Sequence, residues 1–425
     1  MKKFYEQTLA ERHASLIDSG VLTSEQTASL LTEALLDHAI ADGMIENQIG
    51  QFPLPLGVAM HFMIDGTPYY IPMVTEEPSV IAASSNAAKI VKQNGGFMTT
   101  VHERAMIGQL IFTDINDFEA ALALIHERET ALFEVANNAH PSLIKRGGGL
   151  KRIETRIITD EDSNKTYLTL HLVIDVQEAM GANMINTILE ATSIVLKDWL
   201  NSEILMRILS NFADTSLVSA SCVIKPTTLT TKDFDGNWLA QRIVEATRYA
   251  QLDSYRATTH NKGIMNGVDA VVLASGNDTR AIEAGAHAFA VKQGRYQPLS
   301  KWTMADNGDL LGTITLPLPV GAVGGATHLL PMARVAHDLL NKPSATELAR
   351  IIAAVGLAQN LAALKALVSD GIQKGHMSLQ AKSLALSAGA TEDELLAVTT
   401  ALIASNQFNL ANAKMIISQL RNTKN

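Results

Sequence analysis

One cysteine, Cys222, is all that 425 residues contain, which excludes an internal disulfide framework and any zinc site built on several thiolates. A reducing cytoplasm is the expected home. Basic charge is also in short supply: 34 Lys+Arg stand against 43 Asp+Glu, a formal net charge of -9, so generic nucleic-acid binding is not expected and any anion site must be local. The most apolar stretch, Leu348 to Val368, is interrupted by Arg350, Gln359, Asn360 and Lys365 and falls short of the roughly 20 uninterrupted apolar residues that span a bilayer. No membrane association is expected. The opening MKKFYEQTLAERHASL places Glu6 and Glu11 where a signal peptide would turn apolar, so secretion is not expected either. Walker and G-x-G-x-x-G phosphate loops, internal repeats and low-complexity tracts are absent. What is present, 47% apolar and 18% charged residues, is an ordinary globular balance with length for about three average domains.

Helical spacing over Ser24 to Leu36 predicts a helix near the start. Val58 to Ile64 and Tyr69 to Val74 flank Asp65-Gly66 and predict a hairpin, after which Pro78 is expected to open a helix running through Val91. Between Ala105 and Asn211 the order is a strand (Ile107 to Phe112), a helix with Phe118, Leu122, Ile125, Leu132 and Val135 on its apolar side, two strands (Ile153 to Ile158, Tyr167 to Ile174), a helix from Met184 to Trp199 and a strand at Met206 to Leu209. That β-α-β-β-α-β order is ferredoxin-like and reads as an insertion into a larger domain. A strand is expected at Val268 to Ala274, a helix from near Thr279, a Gly-rich loop at Gly321, Gly324 and Gly325, and a helix from Ile351 to Val368. Beyond Gly371 and Gly375 a small helical element follows, with a capping box at Thr391 to Glu394.

Five groups of residues could carry chemistry. Lys145, Arg146, Lys151 and Arg152 bracket three glycines, which suits a phosphate or a solvated basic loop. Glu178 to Asn183 precede a helix whose free amides could dock a cofactor, or Gly181 serves tight packing. Asp278 is either a functional group or a helix N-cap, and it could pair with Lys262, holding the lysine protonated as an electrophile. Glu77 before Pro78 is either catalytic or a helix-dipole charge. His376, between Gly375 and Met377, is either an exposed histidine or a general acid on a moving tail.

In order and spacing, Glu46-Asn47-Gln48-Ile49-Gly50, Glu76-Glu77-Pro78-Ser79, Glu178 to Asn183, His260 to Gly267, Gly276-Asn277-Asp278, Gly321 to Thr327 and Gly375-His376-Met377 resemble the signature segments of hydroxymethylglutaryl-CoA (HMG-CoA) reductase, the soluble bacterial class II form. The resemblance spans nearly the whole chain. It implies an α+β fold: a CoA- and substrate-binding dimerisation domain (1–104 and 212–368), an inserted NADP-binding ferredoxin-like domain (105–211) and a mobile C-terminal flap (369–425). It further implies reduction of a thioester in two hydride steps to mevalonate and free CoA, without a metal. Glu77, Lys262, Asp278 and His376 are the implied catalytic set: Lys262 stabilises the oxyanion, Glu77 supplies a proton to the aldehyde oxygen, Asp278 tunes both, and His376 protonates the CoA thiolate.

Substrate contacts implied by the resemblance are Ser79, Asn211, Arg256, Thr259, Asn266 and Gln359, with Arg256 facing the free carboxylate. Implied cofactor contacts are Lys151, Arg152, Glu178, Met180, Gly181 and Asn183. Arg152 stands where NAD-using members carry an aspartate, so NADPH is the expected cofactor. Glu178 replaces an aspartate of many relatives. A homodimer, or a multiple of dimers, with the site assembled across the interface is also implied. The alternatives are an NADPH-dependent reductase of another acyl-CoA and a non-catalytic CoA-binding regulator; the presence of all four charged catalytic residues disfavours the latter.

Overall fold

In the computed structural model, residues 3–32, 35–369, 371 and 381–423 are described. The chain opens with α1 (Leu9–Asp18), α2 (Ser24–Thr32) and α3 (His38–Met44), then forms the hairpin β1 (Leu56–Ile64) and β2 (Thr67–Val74). Asp65 and Gly66 both have positive φ, 48° and 81°, as the tight turn requires. α4 (Val80–Lys92) begins two residues later than its sequence suggested: Ser79, not Pro78, occupies the boundary as N-cap.

After β3 (Met98–Val101) comes a compact unit of β4 (Met106–Phe112), α5 (Phe118–Glu127), α6 (Glu129–Ala139), α7 (Pro141–Lys145), β5 (Gly149–Thr159), β6 (Thr166–Asp175), α8 (Ala182–Leu200) and β7 (Ile204–Ser210). Its antiparallel sheet has the order β5-β6-β4-β7, the ferredoxin-like arrangement. The single helix expected from Phe118 to Val135 is two, because Arg128 leaves helical geometry at φ -99°, ψ 15°. Leu110, Phe112, Leu168, Leu170, Leu172, Ile185 and Leu189 form this unit's own core.

The chain then continues through β8 (Leu217–Ile224), α9 (Gly236–Leu252), α10 (Ser254–Ala274), α11 (Thr279–Phe289), the short hairpin β9 (Val291–Lys292) and β10 (Arg295–Tyr296), β11 (Ser300–Met304), β12 (Leu310–Pro317), α12 (Pro331–Leu339) and α13 (Ala345–Val368). A second sheet has the order β11-β12-β8-β3. By length and composition α13 could cross a membrane, yet 67% of its most apolar window is buried and Leu348, Ile352, Val355 and Leu361 anchor the largest core. The strand expected at Val268 to Ala274 is instead the last two turns of α10. Val268, Ala270, Val271, Val272 and Ala274 are all buried, and with only Asp269 to interrupt it this short apolar run reads as a strand as readily as a helix. A third core, with Ala381, Val398, Leu402 and Ala413, joins 381–387 to the helices Glu392–Ser405 and Leu410–Thr423. Thr391 N donates to Glu394 Oε2 at 2.9 Å, as the capping box requires.

Candidate active site

α10 gathers most of the predicted substrate residues. Arg256, Thr259, Lys262 and Asn266 recur at intervals of three and four, which places them on one stripe of the helix. Lys262 Nζ lies 2.8 Å from Glu77 Oε2, and Asn266 Nδ2 donates to Glu77 Oε1 at 3.5 Å. Glu77 is itself fixed in the turn before α4, where its N–H donates to Thr75 Oγ1 at 3.1 Å. Lys262 and Glu77 side chains remain 62% and 38% exposed, so the pair adds only about 0–1 kcal/mol to stability. Ser79, two residues on, is held at φ 79°, a left-handed conformation that costs a non-glycine residue about 1–2 kcal/mol.

Arg256 is half-buried, and burial lowers the proton affinity of its guanidinium. That guanidinium has no hydrogen-bond or ion-pair partner among the described residues, so an anionic ligand group would find an unsatisfied fork. Thr259 Oγ1 donates to the Tyr255 carbonyl at 3.3 Å. From α13, Gln359 packs behind Asn266 against Gly267, and its buried Oε1 has no hydrogen-bond partner among the described residues. Such an acceptor costs about 1–3 kcal/mol unless a ligand satisfies it.

Asp278 is the N-cap of α11, its Oδ1 accepting from Arg280 N at 3.0 Å and Ala281 N at 3.1 Å. The pairing with Lys262 that the sequence suggested is not formed within the chain: Lys262 is taken up by Glu77, and no bond joins it to Asp278 among the described residues. Asn211 is exposed at the end of β7, its carbonyl close beneath Gly285 of α11. His376 lies outside the described residues.

The cofactor candidates cluster at the edge of the ferredoxin-like unit. The β5–β6 register slips between Leu150 and Arg152, leaving Lys151 as the bulge residue, and bulges commonly re-aim a side chain near a site. Lys151 Nζ lies 3.1 Å from Asp175 Oδ2. Arg152 bonds Glu103 at 2.6 Å and Glu154 at 2.7 Å, which push its proton affinity above the ordinary value, Glu103 more strongly. Arg146 reaches toward the first turn of α8, with Nη2 3.9 Å from Met184 Sδ. Gly181 caps α8 at φ 93° with no side-chain cap, leaving that helix's first amides available to a phosphate. Asn183 stands exposed in the same turn.

Glu178 and Met180 also face the larger part of the chain. Glu178 Oε2 accepts from Ala345 N at 2.7 Å, and its carbonyl accepts from Ala322 N at 2.8 Å and Val323 N at 3.2 Å. The Met180 amide lies against Gly321. Two residues given no role from the sequence complete this seam. Arg104, largely buried and with its proton affinity lowered by that burial, donates to the carbonyls of Gln177, Ala179 and Val320 at 2.9, 3.1 and 2.7 Å. Asn277 accepts from Gly321 N at 2.7 Å and donates back to Gly321 O at 3.0 Å. Asp278's loop is thus tied through Gly321 to the loop of Glu178 and Met180. Only Asn277's place beside Asp278 hinted at this; nothing in the sequence singled out Arg104.

A sequence profile of hydroxymethylglutaryl-coenzyme A reductase matches residues 8–381. The 3-hydroxy-3-methylglutaryl-coenzyme A reductase of Archaeoglobus fulgidus is 42% identical over 98% of this chain and 94% of its own length. The probable enzyme of Borreliella burgdorferi is 36% identical over 90% and 88% respectively. Among solved structures, the Streptococcus pneumoniae reductase is 47% identical with a TM-score of 0.84, covering 98% of this chain and 99% of that one. The class II enzyme of the same organism, solved bound to NADPH in open conformations, gives 0.83 at the same identity, over 98% of this chain and all of that one. With a profile spanning most of the chain and relatives matched almost end to end, the chain belongs to the hydroxymethylglutaryl-coenzyme A reductase family.

Proposed function

We propose that the protein reduces the thioester of HMG-CoA to mevalonate and free CoA with two NADPH, in isoprenoid precursor synthesis. The observation that carries this reading is the stripe of Arg256, Thr259, Lys262 and Asn266 with Lys262 locked on Glu77 at 2.8 Å. The unpaired Arg256 guanidinium takes the free carboxylate, and Ser79, Asn211, Thr259, Asn266 and Gln359 line the rest of the acyl site. Gln359 Oε1 gains from the substrate hydroxyl the donor it lacks.

A glycine-capped helix start that Arg146 reaches fits a dinucleotide phosphate, and Lys151, Arg152, Glu178, Met180, Gly181 and Asn183 form the cofactor site. When bound, NADPH supplies the hydride for each reduction. Lys262 Nζ, held beside Glu77, is the cation that stabilises negative charge developing on the carbonyl oxygen. Glu77, hydrogen-bonded to Lys262 and Asn266, delivers the proton to the aldehyde oxygen in the second reduction. His376 protonates the departing CoA thiolate.

The resemblance to class II reductases, whose site is assembled across the subunit interface, supports a site in which Asp278 of a second copy stands with Lys262 and Glu77. The working unit is a homodimer or a multiple of dimers in the cytoplasm. In this reading the unit 105–211 holds the cofactor, 1–104 and 212–368 hold the CoA substrate, and 369–425 closes over both.

The test follows NADPH and NADH oxidation separately with HMG-CoA, in the parent and in Arg152→Gln. The parent should prefer NADPH, and the variant should lose about 10- to 150-fold in kcat/KM for NADPH, the worth of a charged hydrogen bond of about 1.5–3 kcal/mol. No oxidation of either cofactor would refute the reaction. A parent preference for NADH would refute the role of Arg152.

A further inference from the structure

A buried polar cluster next to the proposed acyl site ties together α10, β11 and α13, with Asn360 of α13 at its centre. Asn360 Oδ1 accepts from Trp302 Nε1 and from Ser300 Oγ, each at 2.8 Å, and Asn360 Nδ2 lies 3.0 Å from His260 Nε2 on α10. His260 Nε2 is also 2.6 Å from Ser300 Oγ. All four residues are buried, so each polar group must find its partners inside the protein.

The chemistry of the donors orients the whole cluster. An indole N–H can only donate, so the Asn360 atom facing Trp302 is oxygen and the amide nitrogen faces His260. That nitrogen also only donates, so His260 Nε2 is the acceptor and carries no proton. Burial, then the charge of Arg256, push the imidazole down to about 3 and keep it neutral. Its one ring proton therefore sits on Nδ1, which is buried and has no hydrogen-bond partner among the described residues.

Both ends of the cluster adjoin residues of the proposed site. His260 precedes Lys262 by two positions, and Asn261 between them is pinned as well: Leu299 N donates to its Oδ1, and its Nδ2 donates to the Gln297 carbonyl, each at 2.9 Å. Asn360 directly follows Gln359, the residue whose buried Oε1 lacks a donor. Gln359 in turn packs on Gly267 of α10, where an added Cβ would lie 3.0 Å from Gln359 Cβ. Apolar packing between the two helices is non-directional, whereas the bonds at Asn360 are directional and select which residues of each helix face the site.

We propose that Asn360 is a positioning residue for the reduction: by joining His260 to β11 it fixes how α13 sits on α10, and with that where Gln359 stands relative to Lys262 and Asn266. The kinetic consequence rests on the reductase reading; the network itself does not.

Asn360→Leu keeps the branching and roughly the size of the side chain and removes every bond. Asn360→Asp keeps the acceptor for Trp302 and meets Nε2 either with an acid proton or with a carboxylate that draws the ring proton to Nε2, so the network re-forms. In initial rates of the full-length protein, Asn360→Leu should raise the KM for HMG-CoA about tenfold, the worth of one hydrogen bond, lower kcat and leave the KM for NADPH unchanged. Asn360→Asp should stay within about threefold of the parent in all three. A merely structural role would reduce the folded fraction, lowering kcat and moving neither KM.

An Asn360→Leu enzyme with the parent's KM for HMG-CoA, or an Asn360→Asp enzyme no better than Asn360→Leu, would overturn the proposal. Should Asn360→Leu fail to fold, Ser300→Ala takes its place: losing one donor should raise the KM for HMG-CoA about threefold at unchanged KM for NADPH, and parent values there would overturn the proposal. No turnover in the parent refutes the reductase reading instead, and nitrogen NMR with ring-labelled histidine then decides the network. His260, assigned by its shift in Ser300→Ala, should show a protonated Nδ1 and a bare Nε2 from about pH 5 to 8; a protonated Nε2 contradicts the network.

Discussion

Replacing Gly181 by alanine probes the cofactor loop where geometry leaves least room. The residue sits at φ 93°, and an added Cβ would lie 2.3 Å from Val176 Cγ1 and 2.7 Å from Val176 Cβ. Val176 is β-branched and 2% exposed, so it cannot swing aside. Left-handed backbone costs a non-glycine residue about 1–2 kcal/mol, and overpacking a filled site costs about 1–3 kcal/mol more. The total expected for Gly181→Ala is about 2–5 kcal/mol. Gly147 is the internal control: its φ is 87°, but nothing lies within 4 Å of an added Cβ, so Gly147→Ala carries only the backbone cost of about 1–2 kcal/mol. Denaturant unfolding of both variants measures the difference. Titration of the folded protein with NADPH then reads the helix start directly, and Gly181→Ala should bind at least about tenfold more weakly than Gly147→Ala, matching about 1.4 kcal/mol of lost amide contacts. Equal losses in stability, or undiminished NADPH affinity in Gly181→Ala, would refute the claim that Gly181 shapes a phosphate-binding helix start.

Arg256→Ala should raise the KM for HMG-CoA about 10- to 150-fold, the loss of a charged hydrogen bond, with a smaller change in kcat and none in NADPH affinity, as initial rates at varied substrate will report. Asn277→Ala removes both bonds to Gly321 and should destabilise by about 1–3 kcal/mol while lowering kcat, measured by unfolding and turnover in parallel. Cys222 is buried and its thiol is pushed up to about 12, so almost no thiolate exists at pH 7 to 9; a thiol-specific disulfide reagent should react only after denaturant is added. Lys262→Ala and Asp278→Ala should each be inactive alone. Refolded together in equal amounts they should regain about a quarter of parent activity, since half the dimers are mixed and each mixed dimer has one intact site of two. No recovery on mixing would contradict a site shared between copies.

The sequence made visible what depends on local period and turn chemistry. The β1–β2 hairpin follows from alternating strands around Asp65-Gly66, and the ferredoxin-like unit from strands and helices that each keep one apolar face. The end of α10 was misread because Val268, Val271 and Val272 lie in a short apolar run broken only by Asp269, and period alone cannot separate a strand from a mostly buried helical segment of that length. The break at Arg128 escaped notice because apolar spacing continues across it. In the site, the residue types and their order were legible, whereas their partners were not. Glu77 and Lys262 meet across 185 positions, and Arg152 meets Glu103 across 49, pairings that only folding creates.

The central claim is a four-electron reduction of one thioester under Lys262. Its most direct measurement is the product balance: NADPH consumed, CoA released and mevalonate formed from HMG-CoA, in the parent and in Lys262→Ala. Two NADPH oxidised for each CoA and each mevalonate, with turnover lost in Lys262→Ala, is the predicted result. One NADPH per CoA with the aldehyde accumulating, or full turnover without Lys262, would contradict it.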